Sequence, residues 1–255
     1  MEKLLDVGDT SLKIEIIGEG EPLLFVHGGP GGNYLSFRKV MDKLGNYKLV
    51  FYDQRGTGES ERFENPQPEN FSMDKHLRDI EAIRKYLKEE KIILLGHSWG
   101  GSLVTFYANA YPERIKKLII YSGGPETSEM ADLKNDNMMS RLSAEAVTKI
   151  NLLKVKLGEL IENESDQDEI DQIFGDLIQV IAPALEKDVT NSSRKLNGRF
   201  GFWAANLTNL YMNEFKRDEF LKGLSKVMAP VLITYGEHEP SPIKRFIDLA
   251  IPPNN

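Results

Sequence analysis

Ile92-Ile93-Leu94-Leu95-Gly96-His97-Ser98-Trp99-Gly100-Gly101-Ser102-Leu103 is the stretch whose reading decides the fold. Four consecutive apolar residues predict a strand buried on both faces. Apolar residues then continue at Leu103, Val104, Phe106 and Tyr107 with helical spacing. Between them lies Gly-x-Ser-x-Gly, and strand, sharp turn, helix is the context of a nucleophile elbow. Gly96 and Gly100 let strand and helix approach without Cβ clashes, so Ser98 is expected at the apex of the turn with Oγ exposed. Beneath it lies a helix N-terminus, and the Trp99 N–H points toward any oxyanion formed there.

Upstream, Ser11 to Ile17 alternates as a half-exposed strand does, and Pro22 to Val26 is a short buried run. The latter ends in His27-Gly28-Gly29-Pro30-Gly31-Gly32, glycine density that exposes backbone N–H groups or requires positive φ. Its functional reading is the other half of an oxyanion hole, with the Gly29 N–H opposite Trp99. Its alternative is a flexible loop. Tyr47 to Tyr52 reads as a further buried strand, followed by Asp53-Gln54-Arg55-Gly56-Thr57-Gly58-Glu59-Ser60. That segment lacks the G-x-G-x-x-G order of a dinucleotide loop and is read as a structural turn, in which Asp53 and Arg55 pair or hold neighbouring loops. From Ser72, Leu77, Ile80, Ile83 and Leu87 share one helical face.

Downstream, Leu118 to Tyr121 and Val231 to Tyr235 read as strands, and the last helix is expected over Ile243 to Ile251. Between these strands, from 126 to 222, the pattern is helical. This predicts a core from 1–125 and 223–255, with 126–222 inserted as a helical lid over the site. Phe202, Trp203 or Tyr211 are expected to line an apolar pocket there, and the acidic patch at Glu162 to Asp166 is read as a solvated face.

Composition narrows the function classes. The 255 residues include no cysteine, which removes disulfides and thiol nucleophiles. The net charge of −7 argues against nucleic acid and favours cationic small molecules such as free amino termini. No run reaches membrane-span length, and the charged Met1 to Asp6 is unlike a signal peptide, so a cytoplasmic protein is expected. No cofactor or metal is expected.

Three segments together, His27 to Gly31, Asp53 to Ser60 and Gly96 to Gly101, resemble the proline iminopeptidases, α/β-hydrolase serine peptidases that remove an N-terminal residue, often proline. The resemblance runs from about residue 12 to 125, resumes near 226 to 251, and is weak across the lid. It implies an eight-stranded, mostly parallel sheet with a helical cap, Ser98 as nucleophile, and Gly29 and Trp99 as oxyanion donors. The substrate it implies is a small peptide or amino-acid amide. It places an acidic triad member after the strand at Val231 to Tyr235. The family form is Gly-x-x-Asp, and here Gly236-Glu237-His238-Glu239 puts Glu239 at that position. Cap glutamates bind the substrate amine in this family, and Glu214 resembles such a position. The histidine base of the family follows one further strand. In this sequence no histidine follows Glu239, and the four present are His27, His76, His97 and His238. The resemblance turns His27 and His97 away from the site. His76 is read on a surface helix, which leaves His238 on the rim as the substitute. The final strand and histidine loop are thus expected to be missing, turnover to be impaired, and Val231 to Tyr235 to form an exposed edge. The competing readings are an esterase or amidase acting on a non-peptide acyl group, and an inactive member of the fold acting as a binding protein.

Overall fold

The computed structural model describes residues 1–41, 43–123, 128–188, 195–214 and 227–240. Their centre is a sheet of strands β1 (Glu2–Asp6), β2 (Ser11–Ile17), β3 (Glu21–Val26), β4 (Tyr47–Tyr52), β5 (Ile92–His97), β6 (Ile115–Tyr121) and β7 (Val231–Thr234). The spatial order is β1-β2-β4-β3-β5-β6-β7. β1 and β2 form an antiparallel hairpin, β2 lies antiparallel to β4, and all pairs from β4 to β7 are parallel. Seven strands thus stand among the described residues, against the eight that the resemblance implies.

The parallel strands are apolar on both faces because helices cover both. Alternation along the strand divides the core. Leu24, Val26, Val50 and Leu94 face α2 (Met73–Tyr86) and α3 (Trp99–Ala110), meeting Ile80, Ile83, Val104 and Phe106. Leu23, Phe25, Phe51 and Leu95 point the other way, toward Phe37 and Met41 of α1 (Leu35–Met41). Burying each such side chain contributes roughly 1.5–3 kcal/mol, so Phe51→Ala at the sheet centre costs about 3–5 kcal/mol.

β1 is the strand that sequence reading did not find. Its mostly exposed residues carry no alternating pattern, and it is defined by backbone pairing to β2 and by the Lys13–Glu2 ion pair at 2.6 Å. At the opposite end β7 pairs with β6 and, among the described residues, with nothing beyond it. Val231 and Leu232 there are 43% and 54% exposed. The helix expected over Ile243 to Ile251 lies outside the described residues.

Between β6 and β7 come helices α4 (Ser128–Ser140), α5 (Ala144–Glu162), α6 (Gln167–Ile181) and α7 (Phe202–Glu214). The Ser143 side chain accepts the Ala146 N–H and starts α5, and Asp166 does the same for α6 by accepting the Asp168 N–H at 2.8 Å. The acidic patch therefore resolves into the turn between two helices and an N-cap. Leu157 of α5 packs on Ile170 and Ile173 of α6 and on Phe202 of α7.

Two glycine loops hold α7 to the sheet. The Gly201 N–H donates to Gly31 O at 2.8 Å, and a Cβ on Gly31 would lie 2.8 Å from Ala205 Cβ. A Cβ on Gly56 would meet the Phe71 ring at 2.9 Å and Ala204 at 3.5 Å. Both glycines have positive φ, so conformation and space both require glycine there.

Candidate active site

Ser98 is held in a strained backbone conformation, φ 52° and ψ −119°, between the last residue of β5 and the first of α3. For a residue with a Cβ this costs roughly 1–3 kcal/mol and persists only where the surroundings over-determine it. They do. The Ser98 N–H donates to Tyr121 O at 3.2 Å, and Ser98 O accepts from Gly101 at 2.9 Å and Ser102 at 3.3 Å. A side chain on Gly96 would enter Val104 and the Gly100 carbonyl, one on Gly100 would enter the Val26 and His27 carbonyls, and one on Gly123 would enter the Ser98 backbone. The elbow thus needs three glycines, and Gly123 comes from the end of the neighbouring strand.

The loop after β3 lies directly against the serine. A Cβ on Gly28 would sit 3.0 Å from Ser98 Cβ and 2.8 Å from His97 Nδ1. Gly29 follows at φ +74°, beyond the end of the β3 ladder. Trp99 opens α3, so its N–H has no carbonyl partner inside that helix.

Sequence reading missed the residue that joins these two segments. Gln54, 1% exposed, donates from its backbone N–H to His27 Nε2 at 3.0 Å and from Nε2 to the His27 carbonyl at 2.8 Å. Its Oε1 accepts the Trp99 indole N–H at 2.9 Å. Because His27 Nε2 accepts, the ring proton resides on Nδ1, where it donates to Gly28 O at 3.0 Å. Burial depresses the His27 pKa to about 4, so the ring is a neutral strut. The only sequence signal was a glutamine immediately after an apolar strand, which periodicity does not distinguish from any loop residue.

Its neighbours act separately, and Asp53 and Arg55 do not pair with each other. Arg55 forms a bidentate pair with Asp79 at 2.7 and 2.8 Å, reaches Asp9 at 3.2 Å, and donates to Asn70 O at 2.7 Å. Asp53 accepts the N–H groups of Glu59 at 2.9 Å and Tyr34 at 3.2 Å and so fixes two loops. Burial pushes its carboxyl up to about 6 despite those donors.

The histidines divide clearly. His76, expected on a surface, is buried, because α7 and Trp99 cover its helix. Its Nε2 lies 3.3 Å from Thr208 Oγ1, its ring stands edge-on to Trp99 at 6.0 Å, and burial lowers its pKa to about 3. The His97 ring packs between Phe37, at 4.0 Å, and Tyr121, at 5.4 Å. His238 is 45% exposed, with Nε2 3.9 Å from Glu237.

Two adjoining chambers open on Ser98. The inner one, about 270 Å³, is walled by the glycine loop, Phe37, α4, α6 and residues 196–200. The outer one, about 510 Å³, shares Lys134 with it and also reaches Tyr121, Glu186 and the turn 236–239. Glu239 and His238 line this outer chamber together with Ser98, and the Glu239 N–H closes the turn on Gly236 O at 3.1 Å. The expected aromatics lie elsewhere. Phe202 and Trp203 are consumed in the packing of α7 on α5 and α6, and Tyr211 packs on the main core. Phe37, Phe174 and Phe200 line the inner chamber instead. Glu214 is the last residue of α7, and its side chain lies outside the described residues.

A mostly parallel sheet carrying a serine on such an elbow defines a class, and the chain belongs to the alpha/beta hydrolase fold family, whose family model matches residues 21–241. More particularly, it is 39% identical over 114 residues to the proline iminopeptidase of Lactobacillus helveticus, a segment making up 42% of this chain and 38% of that relative. It is 27% identical over 237 residues to the AB hydrolase superfamily protein YclE of Bacillus subtilis, covering 91% of this chain and 78% of YclE. Among solved structures, the proline iminopeptidase of Mycobacterium smegmatis superposes with a TM-score of 0.63 over 98% of this chain and 86% of that one, at 19% identity, a likeness of fold. No helix among the described residues is long and apolar enough to cross a membrane.

Proposed function

We propose that this chain is a serine hydrolase of the proline iminopeptidase type, releasing the N-terminal residue of a small peptide or amino-acid amide through an acyl-enzyme on Ser98. The observation that carries this reading is the strained Ser98 at a strand–helix turn, facing two chambers. Ser98 Oγ attacks the first carbonyl and its proton passes to a base, which gives it to the departing amine as the C–N bond breaks and the acyl-enzyme forms. The Gly29 and Trp99 N–H groups hold the oxyanion, and water then releases the acyl group. Residues 126–222 form the cap, Glu239 is the acidic partner and Glu214 receives the substrate amine.

The base is the weak point of the machinery. His27 and His76 are buried and neutral, and His97 is packed between two rings. His238 shares the outer chamber with Ser98 and is the remaining candidate. Turnover then depends on His238 coming within about 2.6–3.2 Å of Ser98 Oγ, the reach a general base needs.

A fluorophosphonate probe tests the nucleophile. Labelling of the wild type and none of Ser98→Ala supports the reading, and equal labelling of both refutes it. Turnover of proline amides abolished by His238→Ala would make His238 the base. The apolar lining of the inner chamber favours, as a second reading, an esterase or amidase acting on a non-peptide acyl group. Faster turnover of short esters than of amino-acid amides would select it.

A further inference from the structure

The inner chamber is larger than a proline ring requires, and its lining is mostly apolar. Its polar side chains are few, and Asn33 is already committed. Its Nδ2 donates to Asn197 O at 2.9 Å and Arg199 O at 3.1 Å, and its Oδ1 accepts the Leu35 N–H at 3.1 Å. The His97 ring is flanked by Phe37 and Tyr121. Among the described residues, Lys134, which lines both chambers, is the one charged side chain on its wall. What remains facing the cavity is chiefly carbon, from Phe37, Met138, Phe174, Ile178, Leu196 and Phe200, and no carboxylate is among the described residues that line it. An engineered cavity of about 150 Å³ lined by Leu, Ile and Phe stays dry and takes up benzene. The chamber here measures about 270 Å³.

We propose that the inner chamber is the acyl pocket and selects an apolar acyl group larger than proline, either an aromatic or branched aliphatic residue or the corresponding acid. The outer chamber, more polar than the inner one, with Glu186, Lys187 and Glu237 on its walls, receives the leaving group. This rests on the reading of Ser98 as the acylated residue only for which end of the substrate enters. The size and chemistry of the pocket stand without it. Each methylene buried in such a chamber tightens binding about fourfold.

The experiment separates binding from chemistry. Prolinamide, phenylalaninamide and 4-phenylbutanamide are titrated calorimetrically into the Ser98→Ala chain. Binding at least tenfold tighter for the two phenyl compounds than for prolinamide is expected. Ile178→Trp, which fills the chamber, should remove that tenfold gain and leave prolinamide within about twofold. Leu196→Trp, at a second lining residue outside α6, provides the same test should Ile178→Trp fail to fold. Affinities within threefold across the series, or a tenfold gain that survives both tryptophans, overturn the proposal. Fluorophosphonate labelling of the wild type reports separately on Ser98. A labelled serine with a flat series refutes the acyl pocket alone, whereas a graded series with an unlabelled serine supports the pocket and refutes the nucleophile.

Discussion

Replacing Gln54 by leucine should uncouple the glycine loop from the elbow. The residue is buried and makes three hydrogen bonds: its side chain donates through Nε2 to the His27 carbonyl and accepts the Trp99 indole N–H through Oε1, and its backbone N–H donates to His27 Nε2. Leucine keeps the volume and the backbone bond but orphans the His27 carbonyl and the indole N–H. A buried group left unsatisfied costs about 1–3 kcal/mol, so the two together cost roughly 2–6 kcal/mol. That is a large share of a typical stability of about 5–15 kcal/mol. Urea unfolding followed by fluorescence reads it. With a slope near the upper end of about 1–3 kcal/mol/M, the midpoint should fall by roughly 1–2 M. Fluorophosphonate labelling of Ser98 should slow in parallel, because Gly29 and Trp99 lose their common brace. Gln54→Glu separates the donor from the acceptor. Ionised, it retains the indole acceptor and sets a carboxylate against the His27 carbonyl. Protonated, it regains a donor, so its deficit against the parent should shrink as pH falls. A Gln54→Leu protein within 1 kcal/mol of the parent, with unchanged labelling, would refute the reasoning.

Three further outcomes concern the buried histidines and the glycines around Ser98. Stability should fall with acid between pH 6.5 and 4. His27 and His76 have folded pKa values lowered to about 4 and 3 by burial, so the unfolded chain takes up their protons first and each costs about 1.4 kcal/mol per pH unit below 6.5. Asp53 and Asp79, both raised to about 6 by burial, act in the opposite sense below that pH, and the net loss from pH 7.5 to 5 is roughly 1 kcal/mol, measurable by urea unfolding at the two pH values. Gly28→Ala should remain folded at a cost of about 1–3 kcal/mol while slowing Ser98 labelling at least tenfold, because the new methyl presses on Ser98 Cβ and His97 Nδ1 at 3.0 and 2.8 Å. Gly123→Ala, which meets the Ser98 backbone, should fail to fold, and circular dichroism distinguishes the two.

Much of the frame was legible from the chain. β4 spans the run Tyr47–Tyr52 and β5 opens on the apolar run at Ile92 and continues to His97, because a strand buried on both faces has no alternative to continuous apolar residues, while β2 was legible from its alternation. The elbow was legible because only glycine permits that turn, and glycine spacing survives in the linear sequence. β1 was not, since an exposed hairpin strand is defined by its partner and carries little pattern of its own. The roles of the buried polar residues were decided by tertiary structure alone. Asp53, Gln54 and Arg55 are adjacent in sequence yet serve Tyr34, Trp99 and Asp79 respectively, and His76 is buried because a helix 132 residues away carries Thr208 over it. The aromatics of the site show the same division. Composition announced an apolar pocket, but whether Phe202 or Phe200 lines it depends on which way α7 faces when it docks on Gly31 and Gly56. A periodic pattern encodes burial, because burial is a property of one element against a face. A hydrogen-bond partner or a cavity wall belongs to two or three elements at once, and only their packing specifies it.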